Sequence, residues 1–377
     1  MKKFIILFSL FLLIIVTFAS TYDVRSVEDL SYVLAIGIDK SDQEEEPLSL
    51  TIQIAKPDFS EGGGTKIMAE TQTINCNSFN LGIAMLNLQN ASELNLSHCS
   101  AIIVSEEVAK EGFETFITTI SNNIEIRPTC NVLICENSAK EMLSKASEVD
   151  DISAKFYNSF INSARNTSYV TPCQLNDFYA AASGDVKEPV AVYSYIANDT
   201  LESLGLAAFK GSKMVGRLSG IDTICYNMLT NHFDRATVEI YNTQMPKYPL
   251  TVSIAHSKEN AKISVKLKNN KPIITCNISV DAKLLTASKT LNLTDEQIQH
   301  TLEAEINNFL TQNTLNLLYK TSTEYKSDII GFKGYFNKNY LTQDELNKYN
   351  WEELYPKAEF KVNAKTYLDY GSLFSKE

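Results

Sequence analysis

The chain has 377 residues, with 45 acidic and 34 basic side chains, a formal charge of −11 and a pI near 5.1. Without a Lys/Arg cluster to neutralise phosphates, that balance argues against nucleic-acid binding. Hydrophobic residues at 44% exclude a disordered chain, and a mean hydropathy of −0.13 excludes a polytopic membrane protein.

One segment departs from this soluble character. Lys2 and Lys3 precede an apolar run from Phe4 to Ala19 whose only polar members are Ser9 and Thr17. A basic start followed by such a run is an export signal, with the remainder sent out of the cytoplasm. As a helix the run spans roughly 24 Å, short of a hydrocarbon core of about 30 Å, although Ser20, Thr21 and Tyr22 could extend it. Thr17-Phe18-Ala19 is a mediocre cleavage context, so retention as an anchor is expected, with cleavage after Ala19 as the alternative.

Residues 32–39 and 48–55 alternate as strands around an acidic turn from Ser41 to Pro47. Gly62-Gly63-Gly64 has no following Lys-Ser/Thr and reads as a plain loop. A helical pattern covers residues 78–94, then an apolar run, Ala101 to Val104, and a helix around 106–119. Thr129 to Cys135 reads as a strand, and residues 138–185 form an Ala/Ser-rich helical stretch ending at Ser183-Gly184. Strands alternating with helices give a mixed α/β unit.

A second unit starts near Leu201, giving expected segments of 1–21 (signal or anchor), 22–200 and 201–377. Residues 204–209 and 213–218 flank a two-residue turn at Gly211-Ser212, and Gly205, Gly211 and Gly216 read as hairpin geometry. A helix over 221–232 leads to four alternating stretches, 236–242, 249–257, 260–268 and 273–284, that predict a meander. Thr294-Asp-Glu-Gln297 is a capping box, opening a helix that carries Ile298, Leu302, Ile306, Phe309 or Leu310, Leu317 and Leu318 on one stripe. Helical pieces at 328–338 and 342–350 precede a last strand over 358–367. The fold class is therefore α+β: a mixed α/β unit, then an antiparallel sheet packed by a long helix.

Catalytic patterns are absent. His98, His232, His256 and His300 share no local motif, and no nucleophile elbow, zinc spacing or Rossmann glycine pattern occurs. Adjacent His98 and Cys99 would face opposite ways in a strand. Glu44-Glu-Glu46 and Asp150-Asp151 read as solvated charge. Seven cysteines lack metal-ligand spacing and cannot all pair internally; buried free thiols are expected over a disulfide framework. No catalytic residue, cofactor or metal is assigned.

Several stretches together resemble the Ger(x)C (GerAC-like) spore-germination lipoproteins. Thr21-Tyr-Asp-Val-Arg-Ser-Val-Glu-Asp-Leu30 is similar to the mature start C-W-D-R-R-E-[I/V]-x-D-L, keeping Asp23, Arg25, Asp29 and Leu30. Thr21 stands where the lipidated cysteine would be, so lipidation there is chemically impossible. Val33-Leu-Ala-Ile-Gly-Ile-Asp-Lys40 is similar to the strand ending G-I-G-I-D-K, with Ala35 in place of its first glycine. Leu96 to Gly112, Ile126 to Cys135 with Ser138 to Leu143, Gly205 to Leu218, Lys326 to Phe332 and Trp351 to Pro356 follow in the family's order.

The resemblance implies a non-enzymatic C subunit of a nutrient germinant receptor. It would stand on the outer face of the spore inner membrane, beside polytopic A and B subunits. Asp23, Arg25 and Asp29 either dock on a partner or keep the stalk hydrated. Trp351, the only tryptophan, is either a packing anchor or a partner contact. The alternatives are a tethered or secreted solute-binding protein, which needs two lobes around a cleft, and an extracytoplasmic hydrolase.

Overall fold

Leu30–Gln43 (β1) and Glu46–Asp58 (β2) form an antiparallel hairpin closed by Gln43 opposite Glu46, so Glu44-Glu45 alone make the turn. The computed structural model describes residues 30–58, 66–149, 167–241, 250–257, 261–286 and 295–369, plus isolated positions in 3–11 and 157–161. The segments 12–29 and 62–64, with Thr21, Asp23, Arg25 and Asp29, lie outside the described residues, as does most of the Phe4–Ala19 run. Among the described residues no helix is long and apolar enough to cross a membrane.

Nine strands make the first sheet. Lys66–Cys76 (β3) extends the hairpin on one side, and Glu93–Asn95 (β4) pairs with the start of β1. On the other side run Ala101–Ser105 (β5), Asn131–Cys135 (β6) and Val190–Ala197 (β7), parallel to one another and to β1. Thr200–Lys210 (β8) and Lys213–Leu218 (β9) complete the sheet as antiparallel strands.

Both faces of the central strands are covered, which is why β5 and β6 read as continuous apolar runs. On one face Ile102, Val104, Val132 and Ile134 pack with Phe79, Phe113, Phe116 and Phe178. On the other, Ala101, Ile103 and Leu133 pack with Ala139, Met142 and Leu143. The covering helices are Phe79–Gln89 (α1), Glu106–Glu111 (α2), Glu114–Ser121 (α3), Ala139–Val149 (α4) and Leu175–Ser183 (α5). The single helix expected over 106–119 is two, because Gly112 takes φ +99° between them.

Gly220–Thr230 (α6) leads to the second sheet: Arg235–Ile240 (β10), Leu250–His256 (β11), Lys262–Lys268 (β12), Lys271–Thr286 (β13) and Glu359–Asp369 (β14). It is not a meander. Thr275 pairs with both Ser264 and Lys361, and Asp281 with both Ala255 and Tyr367. So β11 and β12 lie end to end along one side of β13, and β14 along the other. The β12–β13 hairpin turns at Asn269-Asn270, with φ +51° and +57°, the primed turn that asparagine tolerates.

Glu296–Tyr319 (α7) is the crossover that lets β14 run parallel to β13. Its first turn is capped by the Asp295 side chain on the Gln297 N–H; Thr294 lies outside the described residues. The stripe Leu302, Ile306, Leu310, Thr314, Leu317 and Leu318 is buried against β14 and α6. Short helices Phe332–Asn337 (α8), Gln343–Leu346 (α9) and Trp351–Leu354 (α10) close the chain before β14.

The first sheet runs on to Leu218, so β8 and β9, which follow residue 199, belong to it. The physical reason is the pairing of β8 with β7 through the tight Asn198-Asp199 turn, both residues with positive φ. A nine-stranded mixed sheet and a five-stranded sheet are not two copies of one lobe. All seven cysteines are buried and free.

Candidate functional site

The residues that carry the motifs are brought together as joints between elements. At the first, the end of β1 meets α4. The Asp39 carboxylate accepts from the backbone N–H of Ala139 (2.7 Å) and Lys140 (2.9 Å) and from the Ser138 hydroxyl (3.0 Å). It serves as a long-range cap, 100 residues away in sequence, and its negative charge suits the positive end of the helix dipole.

The second joint is charged. Glu106, only 7% exposed at the side chain, is gripped by the Arg217 guanidinium through both Nε (3.0 Å) and Nη2. Arg217 also reaches Glu136 at 2.8 Å and lies over the Tyr193 ring, 4.3 Å from its centre. The Tyr193 hydroxyl donates to Glu106 (3.2 Å), and Lys110 pairs with it at 2.9 Å. Burial opposes ionisation of Glu106, but Arg217 and Lys110 outweigh it and hold the carboxyl below the ordinary glutamate range.

Replacing Arg217 by methionine keeps the aliphatic bulk and leaves Glu106 with Lys110. Breaking a buried pair costs about 3–5 kcal/mol. With Arg217 42% exposed and a second cation remaining, about 2 kcal/mol is expected. Because the Glu106 carboxyl is depressed, that stabilisation is present above the ordinary glutamate value and lost as pH falls through the lower, folded-state value. Urea midpoints of both proteins at neutral and acidic pH check it: the gap should close toward acid.

The third joint ties the last segments to the first sheet. Asp328 is buried, and its carboxylate accepts from the N–H of Gly331 (3.0 Å), Phe332 (3.0 Å) and Lys333 (2.8 Å) and from Trp351 Nε1 (3.0 Å). Beside it, the Ser327 hydroxyl donates to the Phe209 carbonyl and the Tyr325 hydroxyl to the Arg217 carbonyl. Glu188 N–H donates to the Asp328 carbonyl, while the Glu188 carboxylate accepts from Gly211 N–H (2.6 Å).

Of the three glycines assigned to hairpin geometry, Gly205 and Gly211 serve the β8–β9 hairpin, while Gly216 also meets a later segment of the chain. Gly211 forms the β8–β9 turn. A Cβ on Gly216 would stand 2.2 Å from the Tyr325 ring, and one on Gly205, at φ +98°, 2.0 Å from the Leu218 carbonyl oxygen. The first is a close approach within the third joint, and the second lies inside the β8–β9 hairpin.

Trp351 is 6% exposed and packs on Phe336 and Tyr355, with ring centres 5.1 and 5.9 Å away. It stands inside an aromatic cluster of the joint. His98 sits edge-on against Tyr32, while Cys99 is buried with its Sγ 3.7 Å from that of Cys130. Each thiol and ring is thus occupied separately. Among the described residues no group of three or more His, Cys, Asp or Glu is arranged for a metal ion.

Clefts are modest. One of 440 Å³ lies between β1, α2 and the β8–β9 turn, lined by Ile38, Phe113 and Phe116 and flanked by Lys40, Glu111 and Lys213. Lys40 pairs there with Glu107 (3.2 Å) and Glu111. Another of 310 Å³ lies beside Cys173, Tyr226 and His232. The chemistry of all these places is that of fastening: capping, ion pairing and aromatic packing.

The joints Glu106–Arg217 and Asp328–Trp351 span 111 and 23 residues of sequence and leave no periodic signal. The signal that could have found them is the set of ordered motif matches, since each joint pairs two of the stretches quoted for the resemblance.

Comparison with known proteins gives matches in the same order along the chain. Residues 23–194 match the family described as the spore germination protein N-terminal domain, and residues 204–371 that described as spore germination B3/GerAC like, C-terminal. Spore germination protein KC of Bacillus subtilis is 22% identical over 95% of this chain and 94% of its own. Spore germination protein GerQC of Bacillus cereus is 22% identical over 97% of each chain. The crystal structure of the GerBC protein has a TM-score of 0.57 and 13% identity, covering 89% of this chain and 96% of the other. That structure shares the fold.

Proposed function

This chain belongs to the GerAC-like spore germination protein family, the germinant-receptor C subunits, and from that membership we propose that it is the extracytoplasmic, non-enzymatic C subunit of a nutrient receptor. The observation that carries the reading is the match in order of both family domains, from residue 23 to residue 371. The three joints support it, since the motif residues serve fastening within the chain. In this reading the protein is a rigid body presented to polytopic A and B subunits on the outer face of the spore inner membrane. Asp23, Arg25 and Asp29, between the apolar run and β1, are the proposed contacts to those subunits. Affinity purification of the tagged protein from detergent-solubilised spores tests the assembly: A and B subunits should co-purify, and their absence would count against it.

Attachment is proposed through the Phe4–Ala19 helix. Thr21 replaces the cysteine that carries lipid in the family pattern, and a retained helix holds far more strongly than one acyl chain, at ~0.8 kcal/mol per buried CH2. Its shortness is met by bilayer thinning, with Tyr22 at the interface. Mass spectrometry of the N-terminus should therefore find the run intact. A peptide beginning at Ser20 would defeat the anchor. A Thr21→Cys variant should gain labelled lipid if the site is a relic of the family pattern.

A further inference from the structure

The second sheet buries one face under α7 and leaves the other open. Strand register assigns each charged side chain of β12, β13 and β14 to that open face. Lys262, Lys266 and Lys268 come from β12 and are exposed. Lys271 and Lys283 stand on β13, and Lys361 and Lys365 on β14, also exposed. Against these seven lysines the same strands offer three carboxylates, Asp281, Glu359 and Asp369. Within a chain of net charge −11, this is a concentrated reversal of sign.

Lysines on edge strands guard against edge-to-edge pairing, which accounts for those of β12 and β14. It does not account for Lys283, which pairs with Ser253 on one side and Asp369 on the other; Lys271, beside the β12–β13 turn, pairs with Lys268 and reaches Glu359 at 3.5 Å. Apolar groups sit on the same face: Tyr367 is 44% exposed, beneath the Lys365 ammonium at 4.6 Å, and Leu285 is 40% exposed. Lysine, tyrosine and leucine on an open sheet are the composition of a surface that meets headgroups. None of the clefts described above is lined by these residues, so the face fits a broad polyanion better than a small anion.

We propose that the open face of β12, β13 and β14 docks on anionic phospholipid headgroups. The bilayer is favoured over an acidic protein because the chain carries its own apolar run, Phe4–Ala19, which would hold the body beside a membrane. An anionic bilayer repels the rest of the acidic body and attracts this face, so the face also sets the orientation of the protein on the membrane. The inference rests in part on the anchoring reading above, and the test separates the two.

The full chain is reconstituted with vesicles of phosphatidylcholine alone or mixed with phosphatidylglycerol, and lysine acetylation by a soluble reagent is mapped by mass spectrometry. Lys266, Lys268, Lys271 and Lys361 should lose reactivity severalfold on the phosphatidylglycerol vesicles, while exposed Lys140 and Lys326 keep theirs. Salt at about 0.5 M, which cuts the screening length to a few ångströms, should restore the reactivity. In the variant K266Q/K268Q/K271Q/K361Q, Lys262 and Lys365 should stay reactive on both vesicles. Equal labelling on the two lipids would overturn the proposal. So would protection by soluble polyglutamate without protection by phosphatidylglycerol, which would assign the face to an acidic protein. Flotation with phosphatidylcholine vesicles at high salt reads the apolar anchor by itself.

Discussion

Replacing Ile306 by aspartate should cost about 4 kcal/mol or more and unfold the second unit at temperatures where the natural protein is folded. Ile306 has no exposed surface and sits mid-stripe on α7, between Leu302 and Leu310 and against β14 and α6. A carboxylate there would have neither water nor a cation, and even its protonated form would lack hydrogen-bond partners. A typical domain has only about 5–15 kcal/mol of total stability, so the loss is a large part of it. Ile306→Val, which removes one methylene, should cost about 1 kcal/mol and keep the fold. Thermal unfolding of the two variants checks both values. An unchanged melting temperature for the aspartate variant would mean that α7 faces solvent.

That stripe is legible in the sequence because its spacing of three and four residues is a local signal. The β8–β9 hairpin is legible for the same reason, with Gly211-Ser212 between two alternating runs. β3 is not: Lys-Ile-Met-Ala-Glu-Thr-Gln-Thr-Ile-Asn-Cys is an edge strand of mostly half-buried side chains, and its alternation is faint. β7 does leave a signal, an apolar run bounded by Pro189 and the Asn198-Asp199 turn, which marks the sheet's continuation across residue 200. Alternation predicts a meander for β10 to β13 and misses their order, because it reports which side chains face the core and says nothing about which strand is the neighbour. The side-chain joints are least legible. Contacts such as Asp39 to α4 depend on topology, and only the ordered motifs hint that those stretches belong together.

Asp328→Ala should be the most disruptive change in the third joint, because one carboxylate serves four donors. Its removal leaves the N–H groups of Gly331, Phe332 and Lys333 and the Trp351 indole N–H without their acceptor, at a cost of about 3–5 kcal/mol. Asp328→Asn retains one acceptor oxygen and isolates the effect of charge. Burial pushes the Asp328 carboxyl up to about 6, against the pull of the same N–H donors. A raised carboxyl favours the folded state most when protonated. Its contribution is therefore full below the ordinary aspartate value, near 4, and declines as pH rises through about 6. The neutral asparagine has no such dependence. The stability advantage of the natural protein over Asp328→Asn should shrink by about 3 kcal/mol between pH values near 4 and near 7. That is what a carboxyl moved from near 4 to about 6 gives, at about 1.4 kcal/mol for each pH unit between the two values. Urea midpoints of the two proteins over that range measure it. An advantage that grows with pH would mean that the four donors outweigh burial and that the joint is held by an ionised carboxylate throughout.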